Sequence, residues 1–403
     1  MHSMLIPERP TSAYHRDLVR RNTAPALMRQ EASWVAFAFA VDRASLLPAL
    51  RASLPDRLRA IEVQQPHGAG LPAEATAPAL AAFIRRIVQV LEDGGALHLA
   101  YSCLAAARVA VPECGELEAG RMLGQRARIA WKIGELDLAR EHYSVVELHG
   151  RLNTLHELTA RAWVGYAILA QLRGNYPQVR RWSSRAMAAA ERHGLPEVGA
   201  LAHQVAMSAA SVAGDLSAAL VHGWSAFRGV AGDPEREADV LLNLSELLLR
   251  AGRPENAAHG FASVLVRKPS GRIALPALGG LALACAACSD GPGVRSARAQ
   301  ADSLIADAGL PFQAASALLE LSRALAGVGD GQDAAECRQR ATTLATRYGY
   351  HEIAHRIERL EERADAPIAR AVPHALASEA EDVAHAVTSL SGHRAVSSGA
   401  GSY

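Results

Sequence analysis

The chain has 403 residues, with 42 Lys+Arg against 41 Asp+Glu and a formal net charge of +1. That balance excludes a nucleic-acid binder driven by bulk charge and excludes an acidic solvating tail as the main feature. Half of the residues are apolar, enough for a substantial core, yet only 5% are aromatic and 83 are Ala, and Lys132 and Lys268 are the only lysines.

The N-terminal stretch MHSMLIPERPTSAYHRDLVRR has no apolar run followed by a small-residue cleavage site. No segment approaches the ~18 uninterrupted apolar residues of a transmembrane helix. Trp34 to Val41 is the most apolar candidate and stops at Asp42-Arg43, which suits a buried helix or strand. Five cysteines are a sparse, odd set that fits reduced thiols, so a cytoplasmic location is expected. Residues 1–76 are expected to be a helical cap or linker region, with two helices around Asp42-Arg43 between Ala24 and Ala60. They show no helix-turn-helix pattern with a basic recognition helix, so no nucleic-acid partner is expected.

A repeat begins near residue 77. Small-residue turns fall at Gly95, Gly134, Gly174, Gly214, Gly252, Gly291 and Gly329, 38–40 residues apart. Five residues after the turn stand Ala100, Ala139, Val179, Ala219, Ala257, Ser296 and Ala334. Twelve after it stand Ala107, Val146, Ala186, Ala226, Val264, Ser303 and Ala341. Tyr143 and Phe261 occupy an aromatic slot nine after the turn. The segments on either side of each turn have helical periodicity, so each unit reads as helix, tight turn, helix. Small residues at the crossing let the two helices approach, and glycine lets the chain leave the first helix through positive φ. One pair cannot bury its apolar face alone, so neighbours must stack. Asp215, Pro254-Glu255 and Asp333 supply capping or first-turn chemistry.

The segments GELDLAREHYSVV and GRPENAAHGFASVL resemble the Gly-x4-Ala-x3-aromatic core of tetratricopeptide repeats. In GDLSAALVHGWSAF the aromatic, Trp224, falls one residue late. The resemblance covers residues 77–362, as about seven pairs. It departs from the family in its period of about 39 and in carrying Ala at the early aromatic positions. Units of this length are similar to those of bacterial signalling regulators and some eukaryotic adaptors. The resemblance implies an all-α, right-handed superhelical solenoid of antiparallel helix pairs. It also implies a concave groove lined by the first helix of each pair and a protein or peptide partner held there without a cofactor. By spacing, the candidate groove residues are Arg121, Arg128, Trp131 and Lys132, then Arg161, then Gln204, then Asn243 and Glu246. The lining would run from basic to neutral to acidic and would suit an extended segment with one acidic end. Exchanging Arg128 and Lys132 for Glu is expected to weaken partner binding without altering melting. The carboxylate clamp of the family's co-chaperones is not matched. Asn243 is the one asparagine placed inside a first helix, a position that holds peptide backbone in peptide-sensing relatives.

Two motifs stand apart from the repeat. His351-Glu352-Ile353-Ala354-His355 matches the H-E-x-x-H of zinc peptidases, but the metzincin glycine and third histidine are missing, and the bland reading is the exposed start of a capping helix. Cys285-Ala-Ala-Cys288 lacks a second cysteine pair, and small buried cysteines are the simpler reading. No metal or cofactor is expected. Residues 363–403 are rich in Ala, Ser, Gly and Pro and read as a disordered tail, with at most a short helix from Ser378 to Leu390. Three functions are carried forward: a non-catalytic binding scaffold, a ligand-responsive regulatory sensor, and remotely a zinc peptidase built on the HEIAH segment.

Overall fold

The computed structural model describes residues 97–110, 114–308, 310–361 and 374–397, together with Ala81, Ile84, Arg85, Val88, Gln89, Leu91 and Glu92 of a preceding helix. Residues 1–76, with their two expected helices, the turn at Gly95 and the side chain of Ala107 lie outside that description. Among the described residues every regular element is a helix, and none is long and apolar enough to cross a membrane.

The chain divides into two compact units at Val198. The first contains α1 (Leu97–Ala110), α2 (Glu116–Lys132), α3 (Leu136–Leu152), α4 (His156–Leu172) and α5 (Tyr176–His193), and the boundary falls inside α6 (Pro196–Val212). The second contains α7 (Leu216–Gly229), α8 (Pro234–Arg250), α9 (Pro254–Val266), α10 (Gly271–Ala287), α11 (Gly291–Ala308), α12 (Pro311–Gly327), α13 (Gly331–Tyr348), α14 (His351–Glu361) and α15 (Ser378–Ser397). In the first unit α2 packs on α3, α3 on α4 and α4 on α5. In the second the same order runs through α8, α9, α10 and α11. First helices of successive pairs also touch: α2 with α4, α8 with α10, and α10 with α12.

Six turns close the described pairs with one backbone device. The residue after the left-handed position returns its N–H to a carbonyl five residues earlier: Glu135 to Ala130 (3.0 Å), Asn175 to Ala170 (2.8 Å), Asp215 to Ala210 (3.0 Å), Arg253 to Leu248 (2.9 Å), Asp290 to Cys285 (2.8 Å) and Asp330 to Leu325 (2.9 Å). This is the six-to-one closure of a helix end through a left-handed residue. Glycine supplies that residue at Gly134, Gly174, Gly214, Gly252 and Gly329. In the sixth pair it is Ser289 (φ 61°), not Gly291, which is the first residue of α11.

The two-residue shift removes both irregularities of the repeat. Counted from Ser289, the positions five and twelve beyond the turn are Val294 and Ala301, both fully buried, whereas Ser296 and Ser303 are exposed. The shift also aligns the aromatic slots. A Cβ on Gly165 of α4 would overlap the ring of Tyr143, and one on Gly280 of α10 would overlap the ring of Phe261. Both glycines then stand nine residues before their turns. The aromatic of one pair thus rests on a bare backbone patch of the next. Ala301→Leu should destabilise the chain by about 1–3 kcal/mol through overpacking, and Ser303→Leu should stay within about 0.5 kcal/mol. Denaturant midpoints would separate the two registers.

Capping follows the sequence in part. Asp215 accepts from Ala218 N–H at 2.9 Å, and Asp290 accepts from Gly293 N–H at 3.0 Å. Asp333 is the acidic residue of the first turn of α13, where it also pairs with Arg298 of α11 at 2.6 Å.

The tail departs from its composition. Within the second unit α15 lies on the second helices α7 and α9. Ala380, Val383, Ala384 and Val387 belong to the core shared with Leu220, Leu244 and Phe261. The ends of this contact are polar. Ala377 N–H donates to Ser217 Oγ at 3.0 Å, Asn256 Nδ2 donates to Thr388 Oγ1 at 2.9 Å, and Arg253 pairs with Glu381. Alanine at helical spacing is enough here, because the receiving surface includes Gly260, against which Val387 sits.

Candidate functional site

The residues marked by spacing do lie on first helices, and four of them share two repeat positions. Arg121, Arg161 and Asp239 each stand thirteen residues before their turn, and Arg128 and Glu246 each stand six before. The charge at both of these repeat positions therefore reverses between the two units.

In the first unit the basic residues are not an open basic end. Each is held by a carboxylate from its own or a neighbouring helix. Arg85 Nη1 lies 2.9 Å from Glu118 Oε2, and Glu118 Oε1 lies 2.7 Å from Arg121 Nη1. Arg121 Nη2 meets Glu157 Oε2 at 2.7 Å, Arg161 Nε meets Glu157 Oε1 at 2.8 Å, and Arg161 Nη2 reaches Glu197 Oε2 at 3.1 Å. Three guanidinium groups and three carboxylates alternate along this ladder, so it is neutral. Burial works to raise the Glu157 pKa, but hydrogen bonding from Arg121 and the charge of Arg161 outweigh it and hold the carboxyl below its ordinary value.

Beside the ladder, Arg128 donates through Nε (2.9 Å) and Nη2 (2.6 Å) to the two oxygens of Glu92, and Lys132 Nζ lies 2.7 Å from Glu92 Oε1. The Glu92 side chain is only 1% exposed. Its burial favours the neutral form, yet the Arg128 hydrogen bonds and charge, with those of Lys132, leave its pKa below the usual carboxylate value. Arg128 and Lys132 are therefore counter-ions of a buried charge. Trp131 sits next to them, partly buried against the core that includes Tyr143, with Lys132 Nζ 5.9 Å from its ring centre.

In the second unit Asn243 donates its side-chain amide to the Asp239 carbonyl at 2.8 Å within α8. Arg272 of α10 pairs with Asp239 at 3.3 Å. Protein packed along the flanks of Glu246 raises its pKa, and the Glu320 carboxylate adds to the effect against Arg250. Glu320 is itself held by Arg323 at 2.5 Å and by Arg356. Gln204 is partly buried on α6. Its neighbour His203 meets His222 of α7, Nδ1 to Nδ1 at 3.1 Å, and burial with the facing histidine pushes the His203 pKa down to about 4.

The HEIAH segment opens α14. Ile353 and Ile357 are buried, while His351, Glu352 and His355 are exposed, and His355 Nδ1 lies 3.7 Å from Glu358. Among the described residues no three His, Cys, Asp or Glu side chains are grouped for a metal. Cys285 is buried and Cys288 exposed; burial, then Asp290, pushes the Cys285 thiol up to about 11.

Reading by spacing missed the partners Glu92, Glu118 and Glu157, because it ranked first-helix positions one at a time. It also missed a furrow on the other side of the first unit, between the second helices α3 and α5. Two cavities of about 620 and 650 Å³ open there over α4.

Fold and site together define a helical-repeat protein of consecutive helix pairs whose first helices carry, within each unit, a polar, charge-laced face. No protein-family profile and no curated protein matches the chain. Among solved structures it is similar to BtubC (BKLC) from P. vanneervenii, at 17% identity over 61% of this chain and 92% of that one, with a TM-score of 0.40. It is also similar to a Signal Transduction ATPase with Numerous Domains that carries a tetratricopeptide repeat sensor, from Pyrococcus horikoshii. That match has 12% identity over 85% of this chain and a TM-score of 0.49, and the chain spans 53% of that protein.

Proposed function

We propose that the chain is a non-catalytic scaffold of the tetratricopeptide type, and that its first-helix face holds an extended segment of a protein or peptide partner. The observation that supports this reading is the recurrence of that face within each unit. First helices touch there, α2 with α4 in the first unit and α8 with α10 and α10 with α12 in the second, and charged side chains recur thirteen and six residues before the turns. A segment laid across them meets equivalent positions at each step, which is how a repeat array reads an extended chain. Trp131 offers a half-buried aromatic edge of the kind that anchors interfaces. Asn243 and Glu246 offer an amide and a carboxyl to a peptide backbone. Arg161 can exchange partners, since Glu197 is 61% exposed and is the ladder carboxylate most easily replaced by an incoming acidic group.

The test is affinity capture by the full chain, compared with Asn243→Ala/Glu246→Lys and read by mass spectrometry. At least one captured protein should fall more than tenfold with the variant and should cross-link to α8. Equal recovery of every protein would remove the binding role from this face.

A further inference from the structure

The second helices of the repeat form furrows of their own, and the chain fills one of them. In the second unit α15 lies in the furrow between α7 and α9. It is held by Arg253 and Asn256, one and four residues beyond the Gly252 turn: Arg253 takes Glu381, and Asn256 Nδ2 reaches the Ala384 carbonyl at 3.2 Å and Thr388 Oγ1 at 2.9 Å. α15 begins with acidic residues, Glu379 and Glu381 in its first turn.

The repeat places the same furrow between α3 and α5 in the first unit, where no described segment covers it. Asn175 and Gln178, one and four residues beyond the Gly174 turn, line its cavity at the positions of Arg253 and Asn256. Its floor is aromatic. Tyr166 and Trp182 stand 5.0 Å apart, and the polar ends of Trp163 and Tyr166 are already spent on Glu147, at 3.0 Å each. Its walls are basic. Arg140 on α3 and Arg181, Arg185 and Arg192 on α5 make no ion pair among the described residues. Arg185 lies 4.4 Å over Trp163 and Arg181 lies 5.5 Å over Trp182. The single acid inside, Glu147, is engaged by Arg151 at 2.5 Å.

We propose that this furrow docks an acidic helical segment of a partner protein between α3 and α5, as α15 is docked between α7 and α9. The helical form follows from the equivalent furrow that a helix occupies. The acidic charge follows from four guanidinium groups without carboxylates around an aromatic floor. A nucleic acid is the weaker fit, because the chain as a whole carries a net charge of +1 and offers no extended basic field around the furrow. This surface is separate from the first-helix face and stands or falls without it.

The experiment is a selection from a displayed random 20-residue peptide library on the full chain, with Arg181→Glu/Arg185→Glu as the comparison. Enriched peptides should be acidic and should lack proline at their centres. They should bind the variant at least tenfold more weakly, and they should slow hydrogen exchange in α3 and α5. Arg140→Glu, on the opposite wall and over no ring, should cost at least threefold and carries the test if the double variant loses its helical signal. The proposal is overturned if nothing is enriched, if the selected peptides bind both chains equally, or if they are extended and proline-rich. It is also overturned if a mixed-sequence single-stranded RNA binds through the same arginines more tightly than any selected peptide.

Discussion

Replacing Arg128 and Lys132 together by glutamate should unfold the first unit well below the melting temperature of the unaltered chain. Glu92 is buried and both its cationic partners would become anions. Stranding a buried charge costs about 3–5 kcal/mol. At about 2–4 °C per kcal/mol for a unit of this size, a loss on the order of 10 °C is expected in a thermal scan. This replaces the expectation from spacing alone that the double exchange leaves melting unchanged. Adding Glu92→Gln should recover much of the loss, because the carboxamide carries no charge. An unchanged melting temperature in the double variant would mean that Glu92 is not held as described.

Acid should act on the same residue. The folded-state pKa of Glu92 lies below its ordinary value. Its contribution is therefore complete above the unfolded carboxyl pKa of about 4.3 and is lost as the pH falls through the folded value. Glu157 has the same sign. Melting temperature should fall on acidification below about pH 4.3, and less steeply in Glu92→Gln.

Loss of the α15 contact should be the second large effect. Val387→Asp would put a carboxylate into a fully buried position against Gly260, and a chain ending before His374 would bare the α7–α9 furrow. Ala380, Val383, Ala384 and Val387, together with the surface they cover, are worth about 3–5 kcal/mol at most by area. Either change should lower the denaturant midpoint, and the shortened chain should also expose apolar surface to a fluorescent dye. An unaltered midpoint in both would show that α15 does not stabilise the second unit.

Much of the fold was legible in the sequence. A residue that must take positive φ after a helix, and a small residue where two helices cross, are local requirements, so they recur every 38–40 residues as glycine and alanine. Legibility failed at Ser289, where a serine takes the left-handed position and Gly291, two residues on, imitates the turn. It failed for the docking of α15, whose start at Ser378 was legible, because an alanine-rich, weakly patterned helix looks like part of a tail until a glycine-floored furrow is there to receive it. The face residues were legible as positions but not in their state. Arg128 reads as a free cation beside Trp131, and nothing nearby in the chain names Glu92 as its partner.

The sequence by itself determined the helix pairs, their period and which polar residues fall on first helices, because each depends on residues within one or two turns of one another. The tertiary structure alone decided which charges are neutralised and where the last helix lies. Arg121 meets Glu157 across 36 residues and Arg253 meets Glu381 across 128. Whether such groups approach to within 3 Å is set by how helices stack, and Coulomb energy and burial follow from that distance, not from position along the chain.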